Sequence, residues 1–167
     1  MDIDEFCRAL GERIASLPSL DARLEEAANC ICRTFSVKLD EVVIFSLDAE
    51  SEFLIFQWPL ELKDAGAIPL TAATPLVVQT ARENRGFLNN FFATTPHASV
   101  FEQFHIGNSA SFPIQKIMSA PISSDGKVAG VVQICRKGED AARAGRDFSS
   151  NELLALERIA VVIARFL

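Results

Sequence analysis

The segment from Phe91 to Pro113 holds most of the side chains in this 167-residue chain that are suited to meeting a ligand. Phe91, Phe92, Phe101, Phe104 and Phe112 stand there among His97, His105 and Asn108. Small-molecule sites combine apolar walls with a few convergent polar groups, so these eight residues are the candidate ligand-binding set. The same rings could instead close a core beneath a long loop, and both readings stand at this point. The two histidines would suit haem or a metal only with further donors, yet no Cys or carboxylate accompanies them in ligand spacing. No metal site is expected, and the sequence identifies no cofactor.

Other chemistry has even less to rest on. The four cysteines, Cys7, Cys30, Cys32 and Cys135, include no CxxC pair. Cys30 and Cys32 fall in a helical pattern, where a two-residue step sends side chains to nearly opposite faces. They read as buried free thiols of a reducing compartment. No Ser-His-Asp order, glycine-rich phosphate loop or paired-carboxylate motif stands out. The chain is therefore expected not to be an enzyme.

Charge and hydropathy narrow the partners. The net charge is −6 without a basic block, so nucleic acid is not expected, since phosphate neutralisation needs clustered Lys and Arg. Apolar runs are short or interrupted by charge, as at Arg165, so no membrane span is expected. Met1-Asp2-Ile3-Asp4-Glu5 is acidic, which argues against a signal peptide. With 49% hydrophobic and 23% charged residues, the expectation is one soluble cytoplasmic domain.

The elements that must position these residues centre on Gln115 to Lys137. Asp125-Gly126 between two apolar runs is a strong hairpin signal, because a two-residue turn needs positive φ at its centre. Pro121 and Gly130 mark places for an edge or a bulge. Glu41 to Leu47 and Glu52 to Trp58 read as two earlier strands, with Pro59 to Pro69 irregular. Residues 2–17 carry Ile3, Phe6, Leu10, Ile14 and Leu17 at helical spacing, and Pro18 ends that helix. A second helix begins near Ser19, with Leu24, Ala28, Ile31 and Phe35 on its stripe. Thr74-Pro75 opens a helix in capping style. Phe87 to Asn90 is a short strand. Ser149 and Glu152 form a capping-box pattern at the last helix, whose stripe is Leu153, Leu156, Ala160, Ile163 and Leu167.

Two stretches, Pro121 to Lys137 (P-I-S-S-D-G-K-V-A-G-V-V-Q-I-C-R-K) and Asp147 to Ala160 (D-F-S-S-N-E-L-L-A-L-E-R-I-A), resemble the closing pattern of GAF domains. Ile68-Pro69-Leu70, the helix near Leu76 to Asn84 and Arg85 to Asn90 follow the family order upstream. The resemblance covers roughly residues 20–167, leaving an N-terminal amphipathic helix at 1–18 and a GAF-like domain at 19–167. It implies an α+β fold: an antiparallel sheet of five or six strands, terminal helices on one face, pocket loops and short helices on the other. It also implies a sensory or regulatory module in signal transduction, binding an unidentified small molecule and dimerising through its terminal helices. A fused or associated output domain would receive the signal.

Within that resemblance, the cyclic-nucleotide signature would fall on Arg136, Lys137, Phe148, Glu152 and Leu153. Lys137 and Phe148 match it, Glu152 is conservative, and Lys137 with Glu152 would form its structural ion pair. No Cys lies between Cys32 and Cys135 for bilin attachment. The free-methionine-sulfoxide reductases of the family need pocket-loop cysteines, which are lacking here. A ligand-binding sensor leads. The first alternative is a non-catalytic dimerisation or interaction module whose pocket is filled by its own side chains; the last is a thiol-based free methionine sulfoxide reductase.

Overall fold

Asp125 and Gly126 carry φ angles of 53° and 75° in the computed structural model, the left-handed pair that a two-residue turn requires. The structure describes residues 2–97, 100–106 and 111–167. The turn joins β5 (Ile114–Ser124) to β6 (Lys127–Lys137), which pair along their length from Ser124 opposite Lys127 to Ile114 opposite Lys137. On the far side of β6 lie β1 (Val42–Leu47), β2 (Phe53–Trp58) and the short β3 (Ala67–Pro69). On the far side of β5 lies β4 (Phe87–Asn89). The order β3-β2-β1-β6-β5-β4 makes one six-stranded sheet, antiparallel throughout.

Segment 59–69 is thus less irregular than its sequence suggests. Ala67–Pro69 adds an edge strand to β2, with Pro69 opposite Phe53, a place where a missing N–H is tolerated. Pro121 pairs with Val131 of β6 on one side, while β4 covers only Ile117–Ser119 on the other. On the β4 side Pro121 therefore lies beside an open edge, a place where proline is tolerated.

Helices α1 (Ile3–Ala15), α2 (Leu20–Phe35) and α5 (Ser150–Ile163) pack on one face. Their buried stripe, including Leu24, Ile31, Phe35, Leu156 and Ile163, meets Ile44, Met118, Val132 and Ile134 of the sheet. Alternation sends the intervening residues Val43, Phe45, Val131 and Cys135 to the opposite face. There they meet α3 (Leu76–Glu83), the short α4 (Val100–Gln103) and the connecting turns.

The helix ends show how local chemistry sets these boundaries. Asp2 accepts from the amides of Asp4 and Glu5; Ser19 caps α2. Ser149 and Glu152 form the reciprocal capping box of α5. Helix α1 stops at Ala15, ahead of Pro18. Thr74 does not cap α3. Pro75, with ψ of 131°, is itself the N-cap, and its carbonyl accepts from Val78 N at 3.1 Å and Gln79 N at 3.2 Å.

At the other end of α2, Arg136 donates to Ser36 O (3.0 Å) and Phe35 O (2.9 Å), with its guanidinium 4.5 Å over the Phe148 ring. These carbonyls are among those a helix C-terminus leaves unpaired. No helix among the described residues is long and apolar enough to cross a membrane.

Candidate functional site

A cavity of about 210 Å³ lies on the face of the sheet opposite the terminal helices. Its floor comes from the strands: Phe45 of β1, Phe56 of β2, Ile117 of β5 and Gln133 of β6. The Phe45 and Phe56 rings sit 4.6 Å apart as a cross-strand pair. Leu76 and Val77 of α3 form one wall. Phe92, His97 and Phe101 close the opening from the 91–113 segment. The floor is apolar apart from one amide.

That amide is held from behind. Gln133 Nε2 donates to Ser119 Oγ at 3.1 Å, Ser119 Oγ lies 2.6 Å from Thr80 Oγ1, and Thr80 Oγ1 donates to Leu76 O at 2.8 Å. All three side chains are buried. The chain of hydrogen bonds ties β6 and β5 to α3 across the base of the cavity.

The closing segment is held at two points. His97 Nδ1 lies 2.7 Å from Thr95 O, and Nε2 lies 2.7 Å from Glu102 Oε2. A carbonyl and a carboxylate can only accept, so the arrangement calls for the doubly protonated imidazolium. Burial alone would lower the His97 pKa, but the Glu102 and Thr95 hydrogen bonds outweigh it and raise the pKa above the ordinary value. The ring stacks on Phe92 with centroids 4.2 Å apart. Glu102 Oε2 also receives the amide of Ile114 at 2.8 Å.

Lys137 supplies the second point. Its Nζ donates to Asp40 O (2.8 Å), Phe101 O (2.9 Å) and Phe104 O (2.7 Å), and sits 4.3 Å over the Phe101 ring. Burial lowers its pKa. Asp40 Oδ2 accepts from Ile106 N at 3.0 Å on the same side. The pairing with Glu152 is absent: Glu152 binds Arg146 through both oxygens, at 2.6 and 3.0 Å. Strand parity explains this. Consecutive residues of β6 face opposite sides, so Lys137 faces the cavity side while α5 lies behind Arg136.

The eight sequence candidates separate accordingly. Phe92, His97 and Phe101 line the cavity. Phe104 packs against the same apolar cluster without lining the cavity, and contributes its carbonyl to Lys137. Phe91 is 75% exposed, Phe112 is half-buried away from the cavity, and His105 is exposed. Asn108 lies outside the described residues. The sequence reading did not include Gln133, Phe45, Phe56 or Ile117. Their signal is the position-two alternation in β1, β2, β5 and β6 once one face is assigned to the helices.

None of the described cavity-lining residues is a cysteine. Cys7, Cys30 and Cys32 stand on α1 and α2, across the sheet from the cavity, and Cys135 is fully buried in β6. Burial raises all four thiol pKa values, Cys32 to about 11. Among the described residues no group of His, Cys, Asp and Glu could hold a metal ion.

Solved structures with the same fold include two GAF domains of phosphoenolpyruvate-protein phosphotransferases. That from Acinetobacter is 17% identical, with a TM-score of 0.69 over 96% of this chain and 89% of its own. That from Coxiella burnetii is 12% identical, with a TM-score of 0.74 over 99% and 92%. The free methionine-R-sulfoxide reductase from Neisseria meningitidis, solved with its substrate, is 18% identical, with a TM-score of 0.67 over 98% and 86%. A sequence comparison with curated proteins gives no match. The family model described as "GAF domain" matches residues 19–167; with the six-stranded antiparallel sheet and its two faces, this chain belongs to the GAF family.

Proposed function

We propose that this GAF domain is a cytoplasmic sensory module that binds a small molecule between the sheet and the 91–113 segment. The observation that carries the reading is the cavity of about 210 Å³ beneath Phe92, His97 and Phe101. A module whose pocket is filled by its own side chains would leave no such space. Binding favours the closed arrangement of the segment, and the signal is a shift of population without chemistry. The raised thiol pKa values and the absence of cysteine from the cavity lining support a non-catalytic role.

The output runs through the terminal helices to an associated or fused signalling domain. Leu154 and Val161 of α5 are 59% and 50% exposed and share one heptad position, which supports a homodimer along that helix. Helix α1 is read as an addition preceding the 19–167 domain, packed by Leu10 and Ile14 onto the helical layer.

Native mass spectrometry of freshly purified protein, compared with its denatured mass, tests the sensor reading. A retained small molecule, or a dimer that a bound molecule stabilises, is the expected result. A bare protein that no small molecule stabilises would leave the interaction module in its place.

A further inference from the structure

We infer that the cavity selects a neutral aromatic molecule of one or two rings that donates a hydrogen bond to Gln133. The inference rests on the cavity being the ligand site and names what that site would take.

Size sets the first limit. A protein cavity of about 150 Å³ accepts benzene, so the roughly 210 Å³ here suits one or two fused rings. Rings on the floor and lid, Phe45, Phe56, Phe92 and Phe101, offer stacked and edge-on contacts to such a guest.

Charge sets the second. Among the described residues that line the cavity His97 is the only ionisable one, and both of its nitrogens are engaged, by Thr95 O and Glu102. Lys137 faces the same side, but its three N–H bonds go to three carbonyls. An ammonium has only three donors. A carboxylate or phosphate entering the cavity would meet no free cation, and a buried charge without a partner is strongly disfavoured.

The third limit is the direction of the hydrogen-bond chain. Thr80 has one hydroxyl hydrogen and gives it to Leu76 O. The 2.6 Å contact with Ser119 therefore has Ser119 as its donor. Ser119 Oγ has then only lone pairs left, and receives Gln133 Nε2. Turning the amide over would set two acceptors against each other. Gln133 Oε1, which takes no hydrogen bond from any described residue, is left as the acceptor of a side chain that lines the cavity. A guest with an N–H or O–H satisfies it; a guest without one leaves a desolvated carbonyl unpaired.

The test uses the full chain and four compounds read by calorimetry: indole, its isostere benzofuran, benzoate and cyclic AMP. Indole is expected to bind at least about tenfold more tightly than benzofuran, which lacks the donor, with benzoate and cyclic AMP weaker than both. Gln133→Leu is expected to bring indole and benzofuran together. Ser119→Ala, which leaves Gln133 in place but frees its amide to turn, reduces the preference and serves if Gln133→Leu fails to fold. Equal binding of indole and benzofuran by the parent, a preference for either anion, or binding of none of the four overturns the inference. A retained molecule of other chemistry in native mass spectrometry would overturn it too, while leaving the sensor reading standing.

Discussion

His97 Nε2 lies 2.7 Å from Glu102 Oε2, and the same carboxylate oxygen takes the amide of Ile114, the first residue of β5. One ion pair thus fastens the closing segment to the sheet, and its strength depends on the charge of an imidazole.

The pH dependence follows in sign. The His97 pKa is raised in the folded protein, with burial opposing and the Glu102 and Thr95 hydrogen bonds prevailing. Its contribution is fully present below the unfolded value of about 6.5 and is lost as pH rises through the higher folded value. The parent should exceed His97→Gln in stability by about 1 kcal/mol near pH 6, and the gap should close as pH rises through the folded value. Thermal melts of both proteins across that range would show it. A gap that is constant or widens with pH would contradict the imidazolium assignment.

Lys137→Met removes the cation from three carbonyls while keeping much of the aliphatic stem. A loss of about 2 kcal/mol in denaturant unfolding is expected, in the range of hydrogen bonds to a charged group. Amide exchange in the 100–106 segment should accelerate more than exchange in α2. Uniform acceleration would mean that Lys137 is not a local clasp.

Arg136 makes a different demand. Its fork reaches Phe35 O and Ser36 O together while the guanidinium plane lies over Phe148. Lysine keeps the charge but has neither the fork nor the plane. Arg136→Lys should therefore cost about 2 kcal/mol, nearly as much as Arg136→Met. Recovery of most of the stability by lysine would show that charge alone is needed at the end of α2.

Phe101→Ala and Phe91→Ala separate the aromatic residues that sequence spacing groups together. Phe101 is 3% exposed and lines the cavity, whereas Phe91 is 75% exposed. The first change should destabilise by about 3 kcal/mol and abolish stabilisation by any cavity ligand. The second should shift stability by less than about 0.5 kcal/mol and leave ligand stabilisation intact. Similar effects of the two would place the ligand elsewhere.

The hairpin at Asp125-Gly126 and the capping box at Ser149 were legible in the sequence because turns and helix starts are written in local chemistry. The stripe of α2 was legible for the same kind of reason, its apolar residues recurring at helical spacing. The cavity floor was not. Val42 to Leu47 and Val128 to Cys135 are apolar on both faces, as expected of strands covered on both sides. Composition there does not say which face meets helices and which a cavity, so Phe45 and Gln133 escaped notice. Among the lid residues, spacing could not distinguish Phe92 from Phe91, since adjacent residues in an irregular segment have no periodicity to separate them. The Lys137–Glu152 pair implied by the family resemblance failed on parity: Lys137 faces the cavity side of the sheet and Glu152 stands on α5 behind it.

That parity has a mechanical consequence at the end of β6. Arg136 is pinned to the last turn of α2 and Lys137 to the lid, and a single peptide bond joins them. The strand end therefore acts as a rivet through the sheet, with one head on each side. Under the proposed sensor reading, a displacement of the lid that carried Lys137 would tilt the peptide on which Arg136 is mounted and so reach the helical layer without an intervening relay of side chains. The reverse would hold with equal strength, since free-energy coupling between two sites is mutual: a partner that clamped the end of α2 would then also stiffen the cover of the cavity.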